Sequence, residues 1–237
     1  MVLSPQQIAH FSITRFMKFP GIIPPELVSA AKQQLLADFA DPTPPFRPAP
    51  DAKIYGLLER DGAYGKIIRY AGILDILADL IGDDIVFTTN RHNHGSLNRR
   101  GENRVRLHRD VLRIGHYTVI VYLDDAPADN AATIVVPGSH LWQHFPEDDG
   151  GMWLDPEGHP YSDLSGQTFP VIAGAGDILV FDSYVYHSVG ENRTDNTRAT
   201  LALGYAPVDE LIGVVPPNQV LVRGRDLYRG NIAGTKP

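Results

Sequence analysis

The 237 residues contain no cysteine, which excludes disulfides and thiolate metal sites. No apolar run reaches the roughly 18 residues that cross a bilayer, and no segment is repeated or of low complexity. The opening MVLSPQQIAHFSITRF lacks the basic and apolar stretches of a secretion signal, so a cytoplasmic setting is expected. In that setting the NRT sequon at 192–194 reads as chance. Cations are the minority charge: 21 Lys and Arg against 28 Asp and Glu leave a net charge of −7. That balance argues against a general nucleic-acid or anionic-membrane binder.

Proline and glycine, 19 and 22 residues, punctuate the rest. PELVSAAKQQLLADFA, residues 25–40, predicts an amphipathic helix opened by proline. DPTPPFRPAP at 41–50 is a connector, and YAGILDILADLIG at 70–82 predicts a second helix stopped by Gly82. Beyond it come short runs rich in β-branched and aromatic residues, such as YTVIVYLDD and GDILVFDSYVYHSV, separated by turn residues. The expected fold is mainly β: one domain with a double-stranded β-helix (jelly-roll, cupin-like) core at about 83–210. A helical layer at about 1–82 packs on it, and the tail 211–237 offers an edge strand.

Within RLHRDVL, residues 106–112, His108 and Asp110 are two positions apart. On a strand they share a face, which is a poor place for two polar groups unless they meet water or a ligand. His187 closes a later strand, and Arg198 follows it by eleven residues across a hairpin-length connection. Two imidazoles and a carboxylate on one side of a metal form the facial triad of non-haem iron(II) oxygenases, which leaves the opposite positions exchangeable. A guanidinium nearby is a two-pronged clamp for a carboxylate. Blander readings stand beside these. The His108–Asp110 pair fits a solvated strand face, His187 a satisfied core histidine, and Arg198 an ion-pair partner of Asp182 or Asp195. His92 and His94 are a rival pair for a metal-dependent cupin. His140 reads as a turn residue, and His116 faces either the site or the core.

Taken together, LHRD, YLDDAPADNAATIVVPGSH and GDILVFDSYVYHSVGENRTDNTR resemble the phytanoyl-CoA dioxygenase (PhyH-like) family of iron(II)/2-oxoglutarate oxygenases, along nearly the whole chain. The resemblance implies His108, Asp110 and His187 as iron ligands and Arg198 as the clamp on 2-oxoglutarate. It suggests Asn93 and Thr118 as further hydrogen-bonding partners of that cosubstrate. Two departures are Leu107, where many relatives carry tryptophan, and Asn130–Ala131 in place of Asn-Gly.

The implied activity consumes O2, decarboxylates 2-oxoglutarate to succinate, and hydroxylates a small organic molecule. Epimerisation, cyclisation or desaturation is the alternative outcome, and a binding or sensor module without turnover is the alternative of another class. Asp110 disfavours halogenation, because halogenases on this scaffold vacate that position. Six arginines between residues 99 and 113 suggest an anionic substrate met by Arg104, Arg106 or Arg113. The plainer reading of that cluster is a solvated loop and strand face.

Overall fold

Ser4 opens the first helix with a reciprocal cap: its hydroxyl accepts from Gln7 N at 3.2 Å, and its own N–H donates to the Gln7 side chain at 2.8 Å. The computed structural model describes residues 2–41, 53–101, 106–110, 116–142, 166–208 and 218–225. In chain order the elements are α1 (Pro5–Thr14), β1 (Phe16–Phe19), α2 (Pro25–Ala40), β2 (Lys53–Tyr55), α3 (Leu57–Arg60), α4 (Ala63–Ile68) and α5 (Ala71–Ile81). Then follow β3 (Ile85–Thr88), β4 (Asn93–Asn98), β5 (Tyr117–Tyr122), β6 (Thr133–Val135), β7 (Phe169–Val171), β8 (Ile178–Asp182), β9 (His187–Val189), β10 (Arg198–Pro207) and β11 (Gln219–Arg223). The two helices expected from periodicity lie at α2 and α5. Among the described residues, no helix is long and apolar enough to cross a membrane.

Two antiparallel sheets face each other. The larger runs β1-β8-β5-β10-β3-β11, with β4 also on β10 and β2 beyond it; the smaller runs β7-β6-β9. The tail strand β11 sits at the edge of the larger sheet, as its sequence suggested. Alternation sorts the larger sheet's two faces. Val119 and Val121, Val180, and Leu201, Leu203 and Tyr205 pack with Val28, Ala31 and Leu35 of α2 and Ile73 and Leu77 of α5. Each fully buried Val, Leu or Ile among them contributes about 1.5–3 kcal/mol. The opposite set, Tyr122, Leu179 and Phe181, faces Val135 and Val171 of the smaller sheet and forms the inside of the jelly roll. On β10 the inward positions are Arg198, Thr200, Ala202 and Gly204.

Two local expectations are revised. Residues 106–110 join the fold through an isolated bridge, His108 to His187, and not through a strand. β9 and β10 do not form a hairpin: β9 belongs to the smaller sheet and β10 to the larger, so His187 and Arg198 come from facing walls.

Candidate metal centre

His108 and His187 exchange backbone hydrogen bonds at 2.9 and 2.7 Å, and Asp110 N donates to Ser183 O at 2.9 Å. These bonds lay residues 106–110 against the β8–β9 connection. They bring one ligand atom each of His108, Asp110 and His187 within 4.8 Å of one another. The two imidazole centroids are 4.4 Å apart. Among the described residues this is the only such group of three or more; His92 and His94 do not form a rival one.

Both histidines are oriented by the same device. His108 Nδ1 lies 2.8 Å from Arg106 O, and His187 Nδ1 lies 2.9 Å from Val185 O. A carbonyl only accepts, so each Nδ1 carries the hydrogen and each Nε2 keeps its lone pair. Burial, and then the neighbouring His187, bring the His108 imidazole down to about 4, so it is a neutral donor at neutral pH.

Asp110 divides its two oxygens. Oδ1 accepts from Arg91 Nη2 at 2.7 Å. Oδ2 is buried without a hydrogen bond, 3.7 Å from His187 Nε2 and 3.2 Å from His92 Nε2. Burial pushes this carboxyl up, but the surrounding histidines and Arg91 outweigh burial and hold it below the ordinary carboxylate range. An orphaned buried acceptor costs about 1–3 kcal/mol. Two nitrogen lone pairs and one anionic oxygen converging there fit a divalent transition-metal ion, which would remove that cost.

Arg198 is 2 % exposed, and its Nε has no hydrogen-bond partner. Its Nη1 reaches Thr200 Oγ1 at 3.4 Å, and its guanidinium lies 6.0 Å over the Tyr122 ring, whose hydroxyl donates to Thr133 at 2.8 Å. The candidate ion-pair partners are engaged elsewhere: Asp195 with Arg100, and Asp182 with Arg15 at 3.8 Å. The negative charge acting on Arg198 is Asp124, which already binds Lys32 and Ala199 N. Among the described residues, no carboxylate pairs with Arg198. A buried cation with no carboxylate bonded to it is a ready site for an anion.

The wall beside Asp110 depends on one glycine. On β10, Leu203 pairs with Asn93 and Tyr205 with Phe87, so residues 88–92 all stand opposite Gly204. This bulge bends through His92 in the left-handed region (φ +49) and is tied by Thr88 Oγ1 donating to Arg91 O at 2.9 Å. A Cβ on Gly204 would lie 2.4 Å from His116 Nε2, 2.4 Å from Thr88 Oγ1 and 2.5 Å from Arg91 O. Gly204→Ala is therefore expected to destabilise the protein by about 1–3 kcal/mol and to weaken divalent-metal binding. Urea unfolding and metal titration of the variant check this; unchanged values in both would show that the bulge yields freely.

The other expected residues divide. Thr118 is buried on the inward face, 3.3 Å from His92 Nδ1. Asn93 is a correction: it shares its face of β4 with Gly95 and Leu97, toward the helices. Its amide is committed to Leu58 N (3.0 Å), Glu59 (2.8 Å) and Thr89 O (3.1 Å), so period-two alternation turns it away from the cluster. Arg106 exposes its side chain, and its carbonyl orients His108. Arg104 and Arg113 lie outside the described residues. Sequence reasoning passed over Arg91, whose only signal is its place in the polar TTNRH turn between two strands, and treated His92 solely as a rival ligand. A surface cleft of about 620 Å³ lined by Lys32, Leu36, Asp124, Asn130 and Thr194 is separate; no residue of the cluster lines it.

Comparison with known proteins agrees with this architecture. The dioxygenase trt7 of Aspergillus terreus is 33% identical over 88 residues, covering 37% of this chain and 26% of that protein. The dioxygenase af480 of Aspergillus fumigatus is 27% identical over 164 residues, 65% of this chain and 48% of that protein. The chain thus spans about half, or less, of the length of these relatives. Among solved structures, the α-ketoglutarate-dependent epimerase SnoN superposes with a TM-score of 0.75 at 16% identity, over 92% of this chain and 98% of that one. HygX from Streptomyces hygroscopicus, solved with nickel and 2-oxoglutarate, gives 0.65 at 19% identity over 87% and 88%. These likenesses show a shared fold. The phytanoyl-CoA dioxygenase (PhyH) family model matches residues 25–200, a span that holds the whole cluster and Arg198. The chain belongs to the phytanoyl-CoA dioxygenase family.

Proposed function

We propose that the protein is an iron(II)- and 2-oxoglutarate-dependent oxygenase that hydroxylates a small organic molecule. The observation that carries this reading is the buried cluster itself. Two histidines are fixed by main-chain carbonyls to offer Nε2, beside an Asp110 oxygen with no hydrogen-bond partner. His108, Asp110 and His187 would hold the iron. Bound there, iron(II) supplies the activation of O2 that couples decarboxylation of 2-oxoglutarate to attack on a C–H bond. The balance is 2-oxoglutarate + O2 + R–H giving succinate + CO2 + R–OH.

The chain's own residues do the rest. Arg198 binds the far carboxylate of 2-oxoglutarate in a water-poor recess, where charge-assisted hydrogen bonds are strongest. Thr118 stands on the same inward face of the sheet as Arg198 and offers a hydroxyl. Asn93 has no part in it. His116 Nδ1 and Ser183 Oγ are buried without hydrogen-bond partners on paired positions of the wall. They suit a substrate with polar groups of its own.

Hydroxylation is the simplest outcome. Removal of the same hydrogen also serves epimerisation or ring closure, the activities named for the neighbours SnoN and SnoK. The test is 2-oxoglutarate turnover by the purified full chain with iron(II), ascorbate and air. Succinate is expected, formed slowly without substrate and faster with it. Absence of succinate from iron-loaded protein across a panel of candidate metabolites would leave the family's fold serving as a binding module.

A further inference from the structure

Arg91 is the full cation bonded to Asp110, and its contact is directional. Nη2 donates to Oδ1 at 2.7 Å, which leaves Oδ2 as the oxygen facing His187 and His92. We propose that Arg91 is a positioning residue that makes Asp110 a one-oxygen ligand. By holding Oδ1 it presents Oδ2 to the metal and prevents the carboxylate from turning to chelate through both oxygens. This inference rests on the metal-binding reading of the cluster.

Three further features support the role. The Arg91 main chain is pinned by the Thr88 hydroxyl at 2.9 Å, one residue before the left-handed His92. That bulge exists because five residues crowd opposite Gly204, so its strained backbone delivers Arg91 to the carboxylate. The Arg91 side chain is 37% exposed whereas that of Asp110 is 4%. Solvent around the guanidinium therefore weakens its repulsion of an incoming dication. On this proposal the orienting contact to the buried carboxylate outweighs the repulsion that is left. The outcome is functional: a carboxylate that gives one oxygen leaves one more position on the metal exchangeable than a chelating one.

The experiment is titration of the metal-free full chain with nickel(II) against a chromophoric chelator, with cobalt(II) spectra as the second readout. Wild type, Arg91→Ala, Arg91→Lys and His108→Ala are compared. Arg91→Ala is expected to bind nickel about 10–100-fold more weakly, the usual effect of losing a partner of a ligand. Its cobalt(II) bands should shift, and Arg91→Lys should recover part of both. Equal affinity and identical bands in wild type and Arg91→Ala would overturn the proposal. So would a lowered unfolding midpoint with unchanged affinity in the folded protein, the mark of a purely structural arginine. His108→Ala separates the two levels: if it binds nickel as wild type does, the metal reading itself is wrong, whatever Arg91 does.

Discussion

Asp110→Asn is expected to reduce metal affinity and succinate formation by at least about 100-fold, the scale on which even an outer partner of a ligand acts. The amide keeps the shape and one acceptor for Arg91 but puts an NH2 group where Oδ2 stood, and an amide nitrogen has no lone pair to give. The fold should stand. Oδ2 has no hydrogen-bond partner, and His92 lies 3.2 Å from it, so the amide replaces an unsatisfied acceptor with a donor aimed at a neutral imidazole. Metal content after dialysis, succinate release and the unfolding midpoint together check the prediction. Retained metal and turnover in Asp110→Asn would remove the carboxylate from the site.

Arg198→Ala is expected to raise the KM for 2-oxoglutarate about 100-fold, since two charge-assisted hydrogen bonds to a carboxylate are worth about 3 kcal/mol. Arg198→Lys should recover only part of this, because an ammonium cannot reproduce the two-pronged geometry. Metal affinity without cosubstrate should change little in either variant. Stability gives a second, opposite readout. Arg198 is a buried guanidinium with an orphaned Nε and no carboxylate partner among the described residues. An unbranched apolar replacement of nearer size, Arg198→Met, should therefore hold or raise the unfolding midpoint. A structural ion pair would instead make Arg198→Met strongly destabilising while sparing the KM. Measuring both quantities on one variant decides between them.

Periodicity carried much of this architecture into view from sequence. The spacing of Val28, Ala31 and Leu35 marks the buried face of α2, and proline and Gly82 mark helix boundaries that the fold respects. Alternation in YTVIVY sorts Val119 and Val121 from Thr118 and Tyr122 as the structure does. The i, i+2 relation also put His108 and Asp110 side by side, although main-chain bridging to residues 183–187, and not a regular strand, achieves it. What alternation could not give was phase on β4. Asn93 and His94 are adjacent, and only the pairing with β10 decides which turns toward the helices. Arg91 was hidden for another reason. It stands on a bulge, and a bulge depends on how residues from distant parts of the chain line up, which local spacing does not encode. The link between His187 and Arg198 is long enough for a hairpin by spacing alone, yet it crosses from one sheet to the other.

The matched carbonyl contacts of the two histidines have a consequence for how such a site is inherited. In each case the oxygen comes from the residue two places earlier, Arg106 for His108 and Val185 for His187. Every amino acid brings a carbonyl, so no mutation at either earlier position deletes the acceptor. The aim of both rings is thus insulated from drift in the neighbouring side chains. Side chains around the cluster are free to change while the two rings keep their aim, and such freedom suits a fold held in common at under 20% identity with SnoN and HygX.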